Sequence, residues 1–159
     1  LAVWARTLGL PRSRVDEVLG LVDLADSGGK RLKSYSTGMK QRHALACALL
    51  PDPELLILDE PANGLDPDGI RWLRTTIREL AGQGRTVLLC SHQLAEVAQT
   101  VDDVVILQNS VRFAGTLAEL TAGGNRLEDR FFELVDAGPA HPAGEPVPAA
   151  ATERGLSRA

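Results

Sequence analysis

Four consecutive large aliphatic residues, Leu55 to Leu58, run straight into two carboxylates, Asp59 and Glu60, and Pro61 and Gly64 then break the chain direction. A continuous apolar run bounded by turn residues predicts a strand buried on both faces of a parallel sheet. Thr86 to Cys90 repeats the pattern, with Ser91, His92 and Gln93 following at its exit. Between the two runs, Ile70, Leu73, Ile77 and Leu80 recur at helical spacing, with Pro67 at a first-turn position and Gly82 near the end. Trp72, one residue off that stripe, is expected to be partly exposed.

Other helices follow from the same period. Leu1, Trp4, Ala5 and Leu8 outline one, in which Trp4 reads as a packing residue. Val15, Val18, Leu19 and Val22 outline a second, with Ser13 as its cap. Asp26 to Ser34 reads as a loop. A further helix lies before Pro51, with Ser36 or Thr37 at its start. Past Cys90, Leu94, Val97, Ala98 and Val101 predict a short helix. Val104 to Leu107 and Val111 to Ala114 predict two strands joined by a turn at Gln108 to Ser110. Leu117 to Leu120 and Leu127 to Val135 close the ordered part. Residues 137–159, mainly Ala, Pro, Gly and Glu, bury too little apolar surface to offset their ordering entropy and are expected to be disordered. Strands alternating with helices indicate an α/β domain with a parallel sheet.

Composition narrows the classes. A chain of 159 residues suits one domain, and its net charge of −4 gives no basic footprint for nucleic acid. No stretch approaches the roughly 18 to 20 apolar residues of a membrane span, and no signal peptide is recognisable. Cys47 and Cys90 each sit inside an apolar segment, as small buried hydrophobes do in a reducing compartment. The first residue is Leu1 rather than Met, which suggests a chain lacking its natural beginning.

Two places concentrate candidate chemistry. Asp59, Glu60 and His92 stand at the carboxyl edge of the predicted strands, where open α/β sheets bind ligands. Tyr35-Ser36-Thr37-Gly38-Met39-Lys40-Gln41-Arg42 opens a helix with a small, Gly-bearing turn. Free backbone N–H groups and the positive end of the helix dipole make such a turn an anion site, and Gly38 lets a phosphate approach the backbone.

Together these pieces resemble the nucleotide-binding domain of ATP-binding cassette (ABC) ATPases. Ser36 to Arg42 is similar to the family's signature loop, Leu55 to Glu60 to its Walker B strand, Asn63-Gly64-Leu65-Asp66 to its D-loop, and Ser91-His92 to its switch histidine. The resemblance covers Leu1 to Val135 and implies the C-terminal half of a P-loop NTPase-type parallel sheet. Residues 1–34 would be the end of the helical subdomain and 35–136 the signature helix and core half. It further implies that Asp59 holds Mg²⁺ through water, that Glu60 polarises the attacking water and that His92 hydrogen-bonds the γ-phosphate. Ser36, Thr37, Gly38 and Gln41 would meet the ATP of a partner domain, and Asp66 would report across the interface. Implied partners are a second ABC ATPase domain and an integral membrane permease, with no nucleic acid. The protein would then be cytoplasmic, peripheral at the inner face of the cell membrane.

The sequence departs from the family pattern. Thr37 stands where many members have a second Gly, and Ala62 replaces the commoner Thr or Ser. No Gly-x-x-x-x-Gly-Lys-[Ser/Thr] occurs, so no nest of N–H groups and no Lys cradle the chain's own ATP. The strand leading into that loop goes with it, which predicts exposed apolar surface beside Leu55 and Thr86. The leading expectation is an ATP-hydrolysing subunit of a bacterial exporter-type ABC transporter, present as a fragment. The alternatives are a non-catalytic half that supplies its signature loop to a partner ATPase, and an ABC protein that works apart from any permease.

Overall fold

The computed structural model describes residues 1–136, so the expectation for 137–159 lies outside the described residues. The chain divides into two compact units, the first spanning Leu1–Gln93 and the second beginning at Leu94.

The first unit opens with helix α1 (Ala2–Thr7) and helix α2 (Arg12–Leu21). In α1 only Ala5 is buried, and Trp4 is 51% exposed rather than packed. A helix of under two turns presents one residue inward, and Ala5 occupies that position. Helix α2 buries Val15, Val18 and Leu19 as its period requires, but Ser13 does not cap it. Pro11 is the N-cap, without a side-chain bond, because Pro pre-sets the backbone for a helix beginning at Arg12. Two 3₁₀ turns, Ala25–Ser27 and Leu32–Ser34, occupy the segment expected to be a loop.

Helix α3 (Thr37–Leu49) begins at Ser36, whose hydroxyl oxygen accepts the Met39 N–H at 3.2 Å. It leads through Asp52 to strand β1 (Leu55–Asp59). Helix α4 (Pro67–Gly82) and strand β2 (Thr86–Cys90) follow. The strands are parallel, with Leu55 beside Thr86 and Asp59 beside Cys90. Leu73, Ile77 and Leu80 of α4 are buried as predicted, while Ile70 and Trp72 are half-buried.

Burial of β1 on both faces is not observed. Leu56 and Leu58 enter the core with Leu45, Leu49 and Ile77, whereas Leu55 and Ile57 are 53% and 60% exposed. Leu88 of β2 is 51% exposed. The apolar run serves one covered face, and the expected exposed surface beside Leu55 is present. Side chains alternate across a strand, so the uncovered face takes every second residue.

Arginines tie the helices to this core. Arg14 donates to the carbonyls of Leu49 (2.7 Å) and Leu50 (3.2 Å) at the end of α3 and pairs with Asp52. Arg85 reaches the same Asp52 carboxylate at 2.8 Å. Arg42 pairs with Asp23 at 2.7 Å while its guanidinium lies 4.1 Å from the Trp72 ring centroid.

The second unit holds helix α5 (Leu94–Val97) and the antiparallel strands β3 (Asp103–Gln108) and β4 (Ser110–Thr116). Asn109 alone makes the turn, at φ 59°, in a left-handed conformation that Asn tolerates. Helix α6 (Leu117–Leu120) starts at a reciprocal cap between Thr116 and Glu119, and helix α7 (Leu127–Asp136) follows. Val104, Ile106, Leu120 and Leu127 form the unit's core. Among the described residues no helix is long and apolar enough to cross a membrane.

Candidate functional site

Parallel register determines where the β1 carboxylates and the β2 exit meet. Asp59 pairs with Cys90, and the Glu60 N–H continues the ladder by donating to the Cys90 carbonyl at 2.9 Å. Two residues beyond Cys90, His92 comes level with the Glu60 side chain. Its Nδ1 lies 2.7 Å from Glu60 Oε1, and its backbone N–H donates to the same oxygen at 3.0 Å. Ser91 Oγ lies 3.5 Å from Glu60 Oε2. Glu60 holds a left-handed backbone (φ 47°), unusual for a residue with a β-carbon.

These bonds decide the charges. The His92 side-chain bond, above all, holds the Glu60 carboxyl below its ordinary value, against a smaller opposing effect of desolvation. An ionised carboxylate can only accept, so Nδ1 of His92 carries the proton and donates. Nε2 is the ring nitrogen left for a ligand, on a side chain 72% exposed. The pair combines an ionised base and an accessible imidazole at one sheet edge.

The N-terminal turn of α3 lies against the loop that leaves β1. With Met39 and Lys40 N–H bonded to Ser36, helix geometry leaves the N–H groups of Thr37 and Gly38 without intrahelical acceptors. A β-carbon on Gly38 would meet only Leu65 Cδ2, at an ordinary 3.7 Å. The fold itself does not require glycine there. Gly64 differs: at φ 74°, its β-carbon would stand 2.9 Å from Thr37 Cγ2.

Asp66 caps α4, its Oδ1 accepting the Gly69 N–H at 2.8 Å. The resemblance gives Asp66 only an interface role, although an Asp before a first-turn proline carries the signal of a cap. The Gln41 amide donates to the backbone carbonyl of its own chain's Asn63 at 3.0 Å. The Gln93 amide donates to Asn63 Oδ1 at 3.2 Å. From sequence Asn63 stands only as the first residue of the D-loop-like motif and Gln93 only as a polar residue at the β2 exit, neither with a role of its own. Their bonds cross 22 and 30 positions, and no local pattern announces them.

The donor set bears on metal and nucleotide. Among the described residues no group of three or more His, Cys, Asp or Glu could hold a metal ion. A lone exposed carboxylate such as Asp59 fits Mg²⁺, which keeps most of its water. A cavity of about 210 Å³ between α3, β1 and α4, lined by Gln41, Leu45, Asp59 and Trp72 among others, is smaller than typical ligand pockets of roughly 300–1,000 Å³. The Thr37 and Gly38 N–H groups of the α3 turn lie outside the lining of this cavity.

Several known proteins are similar to this chain. A family model described as ABC transporter matches residues 8–63. The daunorubicin resistance ATP-binding protein DrrA3 of Streptomyces coeruleorubidus is 43% identical over 120 residues, covering 74% of this chain and 38% of that protein. The methionine import ATP-binding protein MetN of Symbiobacterium thermophilum is 41% identical over 128 residues, covering 79% and 39%. The bacitracin transport ATP-binding protein BcrA of Bacillus licheniformis is 46% identical over 109 residues, covering 67% and 36%. A solved structure described as the ATP binding subunit of an ABC transporter superposes with a TM-score of 0.71 at 32% identity, covering 84% of this chain and 59% of the other. The chain thus spans about two-fifths or less of the curated relatives' length. With motifs, fold and relatives in agreement, the chain belongs to the family of ABC transporter ATP-binding proteins.

Proposed function

We propose that this chain is the signature and hydrolytic part of an ATP-hydrolysing subunit of a bacterial exporter-type ABC transporter. The observation that carries the reading is the Glu60–His92 pair at the exit of β1, an ionised carboxylate bonded to an accessible imidazole. Glu60 orients a water and accepts its proton as that water attacks the γ-phosphate. His92 keeps Glu60 charged and in place through Nδ1–H, and in its imidazolium form it also donates from Nε2–H to the phosphate. Positioning and electrostatics carry most of such a transfer. Asp59 would hold Mg²⁺ through water, and the ion would supply neutralising charge for the phosphate oxygens.

Ser36, Thr37 and Gly38 present the α3 N-terminus to the ATP of a second ABC ATPase domain. That geometry suits them because the N–H groups of Thr37 and Gly38 lack intrahelical acceptors. Asp66 reports across the same interface from its place at the start of α4. The subunit sits on the cytoplasmic side of the cell membrane through a permease partner. Residues 1–34 are read as the end of a helical subdomain and 35–136 as signature helix and core half. Export is favoured by relatives named for daunorubicin resistance and bacitracin transport, whereas the methionine import relative favours the other direction.

The test is Glu60→Gln in the complete protein as its own cells make it. Turnover of ATP is expected to fall by roughly 10² to 10⁴ while ATP binding persists. Unchanged turnover removes Glu60 from the base role. A wild-type protein that hydrolyses nothing, yet stimulates a second ATPase, replaces this reading by the non-catalytic one. Co-purification with an integral membrane protein separates transport from work apart from a permease.

A further inference from the structure

Asn63 joins three segments around the site: the loop after β1, helix α3 and the segment after β2. Its backbone N–H donates to the Glu60 carbonyl at 3.1 Å. Its own carbonyl accepts the Gln41 amide from α3 at 3.0 Å, and its Oδ1 accepts the Gln93 amide at 3.2 Å. Gln93 is adjacent to His92, and its backbone N–H donates to Ser91 Oγ at 3.1 Å, the hydroxyl that lies beside Glu60. A bonded path therefore runs from Gln41 through Asn63 and Gln93 to the group that holds Glu60.

We propose that Asn63 is a positioning residue that fastens the His92 segment to helix α3, so that the setting of the signature turn is transmitted to the Glu60–His92 pair. The inference rests on the reading of that pair as hydrolytic. Three features make the node suited to the task. Gln41 lies on the first turns of α3, rigidly linked to Ser36 and Gly38, so displacement of that turn moves the amide that Asn63 accepts. Gly64, immediately after Asn63, takes a positive φ against Thr37, which fixes the loop beside the same turn. Gln93 immediately follows His92, so the bond from Asn63 Oδ1 holds the residue next to the imidazole. A hydrogen-bonded network of this kind couples its members only if removing one end alters the other.

The test compares Asn63→Ala, which removes Oδ1 but keeps the backbone bond to Gln41, with Asn63→Asp, which keeps the acceptor. Both are made in the complete protein, and hydrogen exchange of the Ser91–Gln93 amides is read by mass spectrometry without nucleotide. In Asn63→Ala these amides are expected to exchange about three- to tenfold faster, the factor one neutral hydrogen bond is worth. With Mg·ATP, kcat should fall by a similar factor, while KM stays within about twofold. Asn63→Asp should restore both. Should Asn63→Ala fail to fold, Gln93→Ala removes the same bond from its other end. The isosteric Gln41→Glu, which loses the donor and touches nothing at Ser91–Gln93, should also speed their exchange. Unchanged exchange in Asn63→Ala, or failure of Asn63→Asp to restore it, overturns the proposal. So does unchanged exchange in Gln41→Glu. The expected exchange pattern in a wild-type protein that hydrolyses no ATP upholds the bridge and overturns the hydrolytic reading instead.

Discussion

Thr37 Cγ2 stands 2.9 Å from where a β-carbon on Gly64 would lie. The first residue of α3 and the loop after β1 are thus in contact across 27 positions of sequence, and Gly64 meets that contact with a φ of 74°. Both facts oppose a side chain at this position. Gly64→Ala is expected to destabilise the protein by about 1–3 kcal/mol, from left-handed strain and overlap with Thr37 together. Chemical denaturation measures this, and a paired Thr37→Ser should recover the part due to overlap. A neutral Gly64→Ala would mean the loop moves aside freely.

Gly38, one residue further along α3, offers the opposite case. A β-carbon there makes only ordinary contact with Leu65, and helix propensity favours Ala over Gly. Gly38→Ala should therefore fold with stability equal to or slightly above wild type. If a phosphate approaches this backbone, the same methyl should cut ATP turnover about tenfold or more, a misplacement of roughly 1 Å being enough for 10²-fold. Melting curves and turnover measured on one preparation separate the two demands. Retained turnover would place the phosphate elsewhere.

The contrast between Gly38 and Gly64 also marks what was legible in the sequence. Motif order alone placed Glu60 and His92 at one edge, because two apolar strands of equal length in parallel register bring their exits level. The β1 run misled in one respect: four consecutive aliphatics read as a strand covered twice, yet Leu55 and Ile57 lie on the exposed face. Periodicity reports what a residue could bury, not what is present to cover it. Ser13 looked like a cap, but Pro11 set the helix start two residues earlier. Contacts through Asn63, Asp52 and Arg42 were beyond reach, since each joins residues some twenty to forty apart by polar side chains with no spacing rule.

Asp52 gives a pH dependence with a definite sign. At φ 58°, in the turn after α3, its carboxyl is held below its usual range first by the Arg85 hydrogen bond and charge and then by Arg14. A depressed folded value means the unfolded chain binds the proton more readily. The stabilisation is thus fully present above the unfolded carboxylate value of about 3.9 and is lost as pH falls through the folded value. Asn also tolerates a left-handed backbone, so Asp52→Asn removes the charge with little strain. The variant should be less stable at neutral pH and should lose less stability on acidification below about pH 4. Denaturant midpoints at several pH values test this, and parallel acid limbs in the two proteins would show that Asp52 carries no such linkage.

Arg42 and Trp72 make the sharpest case for a stacked pair. The guanidinium lies 4.1 Å from the ring centroid while one of its nitrogens bonds Asp23 at 2.7 Å and the Val22 carbonyl at 3.3 Å. One side chain of α3 thereby holds the end of α2 and the face of α4. Lysine keeps the charge but not the planar group that can stack and reach two acceptors together. Arg42→Lys should cost about 1 kcal/mol, and Arg42→Ala more because the aliphatic stem is also lost. A cycle with Trp72→Leu should give a coupling of about 0.5–1 kcal/mol, since a half-buried ring desolvates the cation only in part. Additive effects of the two substitutions would assign Trp72 to packing alone and leave Asp23 and Val22 as the partners that fix Arg42.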